Sequence, residues 1–390
     1  MADTPLISFI VLSYNYEKYV GTTLRSILDQ TVRDFEIVVV DDASTDGSCE
    51  VVRSFGDPRI HLHVNDTNMG GAWSYNRAVA LARGTFLVNL DADDWIDPRK
   101  TEMQLEVLAR DPSVDILGTH VAFVGADGKE HPRVRELEAW TNRPHDFNLV
   151  DTWVVQNALC RSSTMIRRAA HERIGLDDAG MVRAPDYELW TRALRLGCRF
   201  GLLPERLTYL RVHSRGVTHA GPLGTFLETC HLLLKNVVPT IENRATYRSL
   251  GRMLQWITEH EQFALLHPRE RYHLLGMFLT SPGVADYTGF RAVLTATDGE
   301  TELATAGRRC LALLSAGPGQ NKLEKLQSDI EKYIEARDYF RQQADSWRRK
   351  AEHQQRVLAR LKRIADPLGV ARLALKVKRR LLPGRPPSHD

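Results

Sequence analysis

The apolar positions of the first 110 residues fall into two alternating rhythms. Leu6 to Leu12, Phe35 to Val40, Ile60 to Val64 and Phe86 to Leu90 read as strands, mostly continuous apolar runs of the kind buried on both faces. Between them, Val20, Leu24, Ile27 and Leu28 recur at helical spacing, Val51, Val52 and Phe55 mark a second helix, and Ala72 to Ala82 a third. Asp97-Pro98 then predicts an N-cap and an N1 proline for a helix over Met103, Leu105 and Leu108. Four strand–helix alternations in one stretch predict a doubly wound α/β domain with a parallel sheet covered on both faces.

Further on the rhythm changes. From Thr225 to Leu314 it is helical, with Phe226, Cys230, Leu233, Leu234, Val237 and Val238 on one face and Leu250, Leu254, Ile257 and Phe263 on another. Trp256 and its neighbours are expected in the core of this appendage. From Leu323 an apolar heptad runs through Leu326, Ile330, Tyr333, Phe340, Ala344, Trp347, Ala351, Leu358 and Leu361 to Ala365, interrupted at Arg337 and Gln354. That pattern predicts a coiled coil and hence a homo-oligomer, with one long helix folded back on the body as the alternative. The expected domains are therefore 1–222, an α/β domain; 223–320, a helical appendage; 321–366, a coiled coil; and 367–390, a basic tail.

Charge sharpens this picture. Residues 356–385 hold ten Lys and Arg against Asp366 alone, a local +9, so with a whole-chain charge of +3 the remainder stands at −6. A mildly acidic body with a basic end excludes a nucleic-acid-binding fold throughout and suits an anionic surface near the C-terminus. The segment Leu368 to Leu382 could lie on an anionic membrane face; a solubilising tail is the other reading. Five scattered cysteines form no zinc or disulfide pattern and are expected as reduced thiols. Met1–Pro5 lacks the basic start of a signal peptide, and no apolar run approaches the ~20 residues of a membrane span. The expected location is the cytoplasm, or the periphery of the inner membrane face.

The chemistry concentrates where strands end. Ser13-Tyr14-Asn15 follows the first strand, Asp41-Asp42 the second, and Asp91-Ala92-Asp93-Asp94 the fourth. In a doubly wound sheet these ends share one edge, outside which ligands bind. Three carboxylates within four residues repel unless a cation or solvent separates them, and a hard divalent cation on phosphate oxygens would do so. The G-x-G-x-x-G of dinucleotide folds and the G-x-x-x-x-G-K-[ST] of nucleotide triphosphatases are both missing.

Taken in order, Ser13-Tyr14-Asn15, Gln30-Thr31, Val40-Asp41-Asp42-Ala43-Ser44-Thr45-Asp46-Gly47, Asn68-x-Gly70 with Asn76, Ala82-x-Gly84, Leu90-Asp91-Ala92-Asp93-Asp94, Pro185-Asp186-Tyr187-Glu188-Leu189-Trp190 and Tyr209-Leu210-Arg211-Val212-His213 resemble the inverting family-2 glycosyltransferases of the GT-A fold. The resemblance spans a little over half the chain. It implies a mixed α/β sheet with helices on both faces and a nucleotide-diphospho-sugar donor. It assigns Ser13, Tyr14, Asn15, Asp41, Asp42, Asn76, Asp91 and Ala92 to the donor, with Asp42 accepting from the base and the ring of Tyr14 packed near the nucleotide. Asp91, Asp93, Asp94 and His213 would meet a Mn²⁺ or Mg²⁺ on the diphosphate, and Asp186 would be the general base toward a hydroxyl acceptor. Asp41-Asp42 would also suit a helix N-terminus, Asp186 an N-cap, and His213 a structural histidine; Trp190 could wall the acceptor pocket or lie in the core.

The chain departs from the family pattern at three places. Pro185 stands where many members have Glu, Tyr75 where many have Arg before the Asn (Arg77 being a possible substitute), and Ala43 where D-D-G-S has glycine. The expected function is that of an inverting, metal-dependent glycosyltransferase, hexosyl or deoxyhexosyl, acting on a glycan or lipid-linked acceptor in bacterial surface polysaccharide or glycoconjugate synthesis. A non-catalytic nucleotide-sugar-binding scaffold would not need Asp186. A sugar nucleotidyltransferase would need a basic, glycine-rich loop in place of Ser13-Tyr14-Asn15-Tyr16-Glu17.

Overall fold

A central eight-stranded sheet is built in the order β3-β2-β1-β4-β7-β6-β8-β5. The computed structural model describes residues 4–315 apart from 155, 214–220, 242–243, 281–282 and 298–301. The predicted coiled coil and basic tail lie outside the described residues. All described residues fall in one compact unit, residues 1–327.

The first half alternates as expected: β1 (Ile7–Ser13), α1 (Val20–Leu28), β2 (Phe35–Asp41), α2 (Ser48–Ser54), β3 (Ile60–Val64), α3 (Gly71–Leu81) and β4 (Phe86–Asp91). Strands β3, β2, β1 and β4 are all parallel. The reason for the continuous apolar runs is visible in the packing. Ile7, Phe9, Val11, Ile37, Val39 and Val88 pack with Val20, Leu24 and Ile27 of α1 on one face. Ile10, Val38, Val40 and Leu87 pack with Tyr75, Ala78 and Ala82 on the other. A strand buried on both faces cannot alternate apolar with polar.

The chain runs outward from β1 to β3 and then returns to place β4 on the other side of β1. The strand order therefore reverses between β1 and β4, which opens a crevice at their carboxyl ends. Register brings Ser13 beside Asp41 and Leu12 beside Asp91 at that edge.

Past β4 the sheet is mixed. The pair β5 (Trp95–Ile96) leads to α4 (Lys100–Arg110), β6 (Ile116–Val124), α5 (Val134–Thr141), β7 (Met165–Arg167), α6 (Arg168–Ile174), α7 (Pro185–Arg195) and β8 (Phe200–Arg211). Strand β7 is antiparallel to β4 and β6, β8 is parallel to β6, and β5 is antiparallel to β8. Helix α4 starts at Lys100, three residues after the expected cap: the carboxylate of Asp97 accepts from the Arg99 amide at 2.9 Å, and its carbonyl from the Lys100 amide at 3.0 Å. Asp97 thus opens a turn ahead of the helix and does not cap it.

The helical appendage contains α8 (Pro222–Leu232), α9 (Arg244–Glu259), α10 (Pro268–Thr280), α11 (Tyr287–Leu294) and α12 (Glu302–Ser315), with a π turn at Leu233–Val237. Its predicted apolar faces are buried, from Phe226 to Val238 and from Leu250 to Phe263. Trp256 is only half-buried and packs against Phe226 and His260, so it edges this core. Among the described residues no helix is long and apolar enough to cross a membrane.

Candidate active site

The loop after β1 and the loop after β2 are zipped together by their own motif residues. Asp41 accepts from the amide and hydroxyl of Ser44, both at 2.7 Å, and the Ser44 hydroxyl in turn accepts from the Asn15 amide at 2.8 Å. The Asn15 side chain accepts from the Thr45 amide at 2.8 Å, and Ser48 Oγ accepts from the Tyr16 amide at 2.8 Å. Both loops need left-handed backbone, with φ of 59° at Asn15 and 63° at Ala43. Asparagine tolerates that conformation, whereas alanine does so only at a cost; the residue at 43 explains why glycine is common there. Tyr14 projects from this platform, 44% exposed, while Ser13 is buried.

Asp42 is buried and turned toward the loop before α3. One oxygen accepts from Asn65 Nδ2 at 2.7 Å and the Met69 amide at 2.8 Å, the other from the Gly70 amide at 2.8 Å. It therefore holds the rim segment that carries Asn68-x-Gly70. Asn76 exchanges two hydrogen bonds with the backbone of Asp177, at 2.8 and 2.9 Å, and ties α3 to the loop after α6. Arg77 donates to the Val64 carbonyl and to Asn65.

The acids after β4 divide into distinct roles. Asp94 is buried, with one oxygen accepting from the Arg211 amide at 2.9 Å and the other from Ser162 Oγ at 2.7 Å. Both oxygens are thus committed to holding β8 and the turn Arg161–Ser163 against β4. Asp93 instead meets His213, Oδ2 to Nε2 at 2.7 Å. The ring of His213 stacks on Tyr19, centroids 5.4 Å apart. Asp91, the last residue of β4, is exposed on one side while protein closes in on its carboxyl from the others. Desolvation by the surrounding protein, with the charges of Asp93 and Asp186 added, pushes its carboxyl up to about 7 against the pull of Arg161. Burial and the charges of Asp93 and Asp91 likewise drive Asp94 well above the usual carboxylate range. Ala92 is buried, and its carbonyl accepts from Thr23 Oγ1 at 2.9 Å. Among the described residues no group of three or more His, Cys, Asp and Glu is arranged to hold a metal ion.

Asp186 lies across the crevice, close enough to Asp91 for its charge to be felt there. It is the second residue of α7 after Pro185, so it is not the N-cap, which is Ala184. Its carboxylate accepts from Asn157 Nδ2 and from the Tyr187 amide, each at 2.8 Å. Trp190 is fully buried and donates to the Leu159 carbonyl at 3.0 Å, which makes it core and not pocket wall.

Two residues near the site, Asn157 and Arg161, carried no linear signal, and Arg211 stood in a matched motif with no role assigned to it. Asn157 orients Asp186 from 29 positions upstream. Arg211 donates through Nε to the Asp93 carbonyl at 3.0 Å and lies between the rings of Tyr19 and Trp95, 4.6 and 4.8 Å from their centroids. Arg161 binds both oxygens of Asp177, at 2.8 and 3.1 Å, with its guanidinium 4.2 Å above the Tyr75 ring. A guanidinium from the segment before β7 therefore sits over the position where the family pattern has arginine and this chain has Tyr75.

In doubly wound sheets ligands bind outside the carboxyl ends of the strands where the order reverses, and it is there that Asp41 and Asp91 close β2 and β4. Residues 8–175 match the family model described as Glycosyl transferase family 2. An uncharacterized glycosyltransferase of Methanocaldococcus jannaschii is 28% identical over 218 residues, 55% of this chain and 73% of that protein. Another uncharacterized glycosyltransferase, from Haemophilus influenzae, is 29% identical over 225 residues, 55% of this chain and 68% of that one. Among solved structures, S. aureus TarS (residues 1–349, in complex with UDP) aligns with a TM-score of 0.54 at 18% identity, over 85% of this chain and 91% of that one. The mixed α/β sheet is thus the GT-A-like fold that TarS shares.

Proposed function

We propose that the protein moves a hexosyl or deoxyhexosyl group from a nucleotide-diphospho-sugar to a hydroxyl acceptor with inversion, in the synthesis of a bacterial surface polysaccharide or glycoconjugate. The observation that carries this reading is that Asp91, closing β4, and Asp186, opening α7, lie near enough for the charge of one to raise the carboxyl of the other. In this reading Asp91, at the end of β4, would serve the donor side and Asp186, at the start of α7, the acceptor side. In the proposed step the acceptor oxygen bonds to the anomeric carbon as the bond from that carbon to the diphosphate oxygen breaks. Asp186 takes the hydroxyl proton, and the nucleoside diphosphate leaves on the opposite side. Asn157 and the Tyr187 amide hold the carboxylate of Asp186 in place for that proton.

A hard divalent cation, Mn²⁺ or Mg²⁺, would have to draw Asp91, Asp93 and His213 together, since among the described residues they do not form a ready ligand set. Asp93 and His213 lie within hydrogen-bond distance of each other, and Asp91 would add an oxygen ligand. Asp94, with both oxygens taken, would support this set from behind. Such an ion, when bound, would neutralise charge on the leaving diphosphate. Tyr14 and Asn15 on their zipped platform would meet the nucleoside, and Asp42 would shape its pocket through the loop at Met69-Gly70. The complex of TarS with UDP-GlcNAc concerns that protein and supports only the class of donor.

The test is Asp186→Asn. It should bind donor as tightly as wild type and lose about 10²- to 10⁴-fold in turnover, the range for a general base. Turnover within threefold of wild type would rule Asp186 out as the base.

A further inference from the structure

Just before Asp186, three consecutive backbone amides converge on one carboxylate from the helical appendage. Glu228, in the middle of α8 and only 1% exposed, accepts from the Val182 amide at 3.0 Å and from the Arg183 and Ala184 amides at 2.8 Å each. The Arg183 guanidinium stands 3.7 Å from the same carboxylate and packs over Gly221 and Gly224 at the start of α8. Successive amides turned to one point form an anion-binding nest, and here the chain fills its own nest from 44 or more residues away.

The position of this contact matters. The N-cap of α7 is Ala184, whose side chain cannot accept a hydrogen bond, and the next residue, Pro185, has no amide hydrogen. Glu228 therefore supplies the anchoring that a capping side chain would normally give, two to four residues before Asp186. The upstream half of the same loop is fastened by the appendage as well. Asp178 accepts from the Tyr287 amide at 3.0 Å and lies 3.5 Å from His231 and 3.8 Å from Lys235. On α7 itself, Asn236 donates to Glu188 Oε1 at 3.1 Å and to Thr191 Oγ1 at 3.2 Å.

We infer that the helical appendage is part of the catalytic apparatus, and that Glu228 is the positioning residue through which it sets the place of Asp186. The inference rests on the proposed role of Asp186 as general base. Because α8 meets the backbone and never the crevice acids, its effect should fall on turnover and leave donor affinity alone. A carboxylate can serve three amides at once. A neutral amide of the same shape has one acceptor oxygen and would release at least one of them.

The experiment uses the full chain as wild type, Glu228→Gln, Glu228→Asp, Asn236→Ala and Asp186→Asn. Amide hydrogen exchange of residues 182–184 is measured together with metal-supplemented hydrolysis of UDP-, GDP- and TDP-linked hexoses, so no acceptor is needed. Glu228→Gln should exchange faster at 182–184 and lose about 10- to 100-fold in kcat, as expected for a misplaced catalytic group. Its donor KM should stay within about twofold of wild type. Glu228→Asp, which keeps the charge on a shorter arm, should fold and fall in between. Asn236→Ala loosens the same interface without touching the nest and should leave exchange at 182–184 as in wild type, whereas a merely structural appendage would speed it in both variants together. Unchanged exchange in Glu228→Gln, or faster exchange with undiminished kcat, overturns the inference. Wild-type hydrolysis that survives Asp186→Asn overturns the base assignment and the inference with it; that control separates the two failures.

Discussion

The buried ion pair of Arg161 and Asp177 gives the sharpest stability prediction. Its side chains are 10% and 0% exposed, and burial pushes the Asp177 carboxyl above its ordinary range even with the guanidinium bound to it. Replacing Arg161 with Met leaves that carboxylate buried without its cation, a change that costs about 3–5 kcal/mol in comparable sites. An independent ceiling follows from protonation. If Asp177 takes up a proton, the cost at pH 7 relative to an ordinary carboxyl at 3.8 is 3.2 pH units, or about 4 kcal/mol. At pH 5 the same ceiling falls to about 1.6 kcal/mol. Arg161→Met should therefore lose about 4 kcal/mol at pH 7 and markedly less at pH 5. Arg161→Met with Asp177→Asn should regain most of the loss, short of the roughly 0.5–2 kcal/mol that the guanidinium contributes over the Tyr75 ring. Urea denaturation of the three proteins at both pH values closes the cycle. A single-variant loss below 1 kcal/mol at pH 7, or a double variant no better than the single one, would refute the reasoning.

Other predictions concern individual positions. Ala43→Gly should raise stability by about 0.5–1 kcal/mol, since it removes a left-handed alanine at the cost of some chain entropy, and an unchanged denaturation midpoint would contradict this. His171 is buried against Tyr75, 3.0 Å from its hydroxyl, and burial followed by Arg161, Arg192 and Arg168 pushes it down to about 4. Between pH 6.5 and 4 the unfolded chain takes up a proton that the fold excludes, so stability should fall with pH there by up to about 3 kcal/mol, with nothing lost above 6.5. His171→Gln should flatten that slope; an unaltered pH profile would exclude it as the source. At Gly84 a Cβ would meet the Ser8 nitrogen at 2.4 Å, so Gly84→Ala should shift β1 and cost about 1–3 kcal/mol, and a neutral result would mean that the strand gives way freely.

Which features were legible follows from how each is encoded. The four parallel strands and the helices between them show in the chain because burial on two faces leaves continuous apolar runs with caps and turns between them. Strands β5 and β7, of two and three residues, hold their places through tertiary pairing, and no local pattern marks them. The motif acids were visible as residues but not in their division of labour. Asp41 binds its own loop and Asp42 and Asp94 bind segments far off in the chain, whereas Asp91, Asp93 and Asp186 are not spent on such anchoring. That difference depends on Ser162, Asn65 and Arg211, each far off in sequence. Asn157, Arg161 and Glu228 were invisible for the same reason: each acts on a segment at least 16 residues away. Tyr75 stands where the family pattern has arginine, and the guanidinium above it comes from Arg161 and not from Arg77.

The central claim, that the acids at the β1–β4 crevice form a nucleotide-sugar site, is tested most directly by donor binding. Calorimetric titration of a panel of nucleotide-diphospho-sugars would be carried out with Mn²⁺ and with chelator, on wild type and Asp93→Ala. The account predicts that one donor binds in the presence of metal, that chelator abolishes the binding, and that Asp93→Ala loses it. Binding of no donor, or binding indifferent to both metal and Asp93, would contradict it.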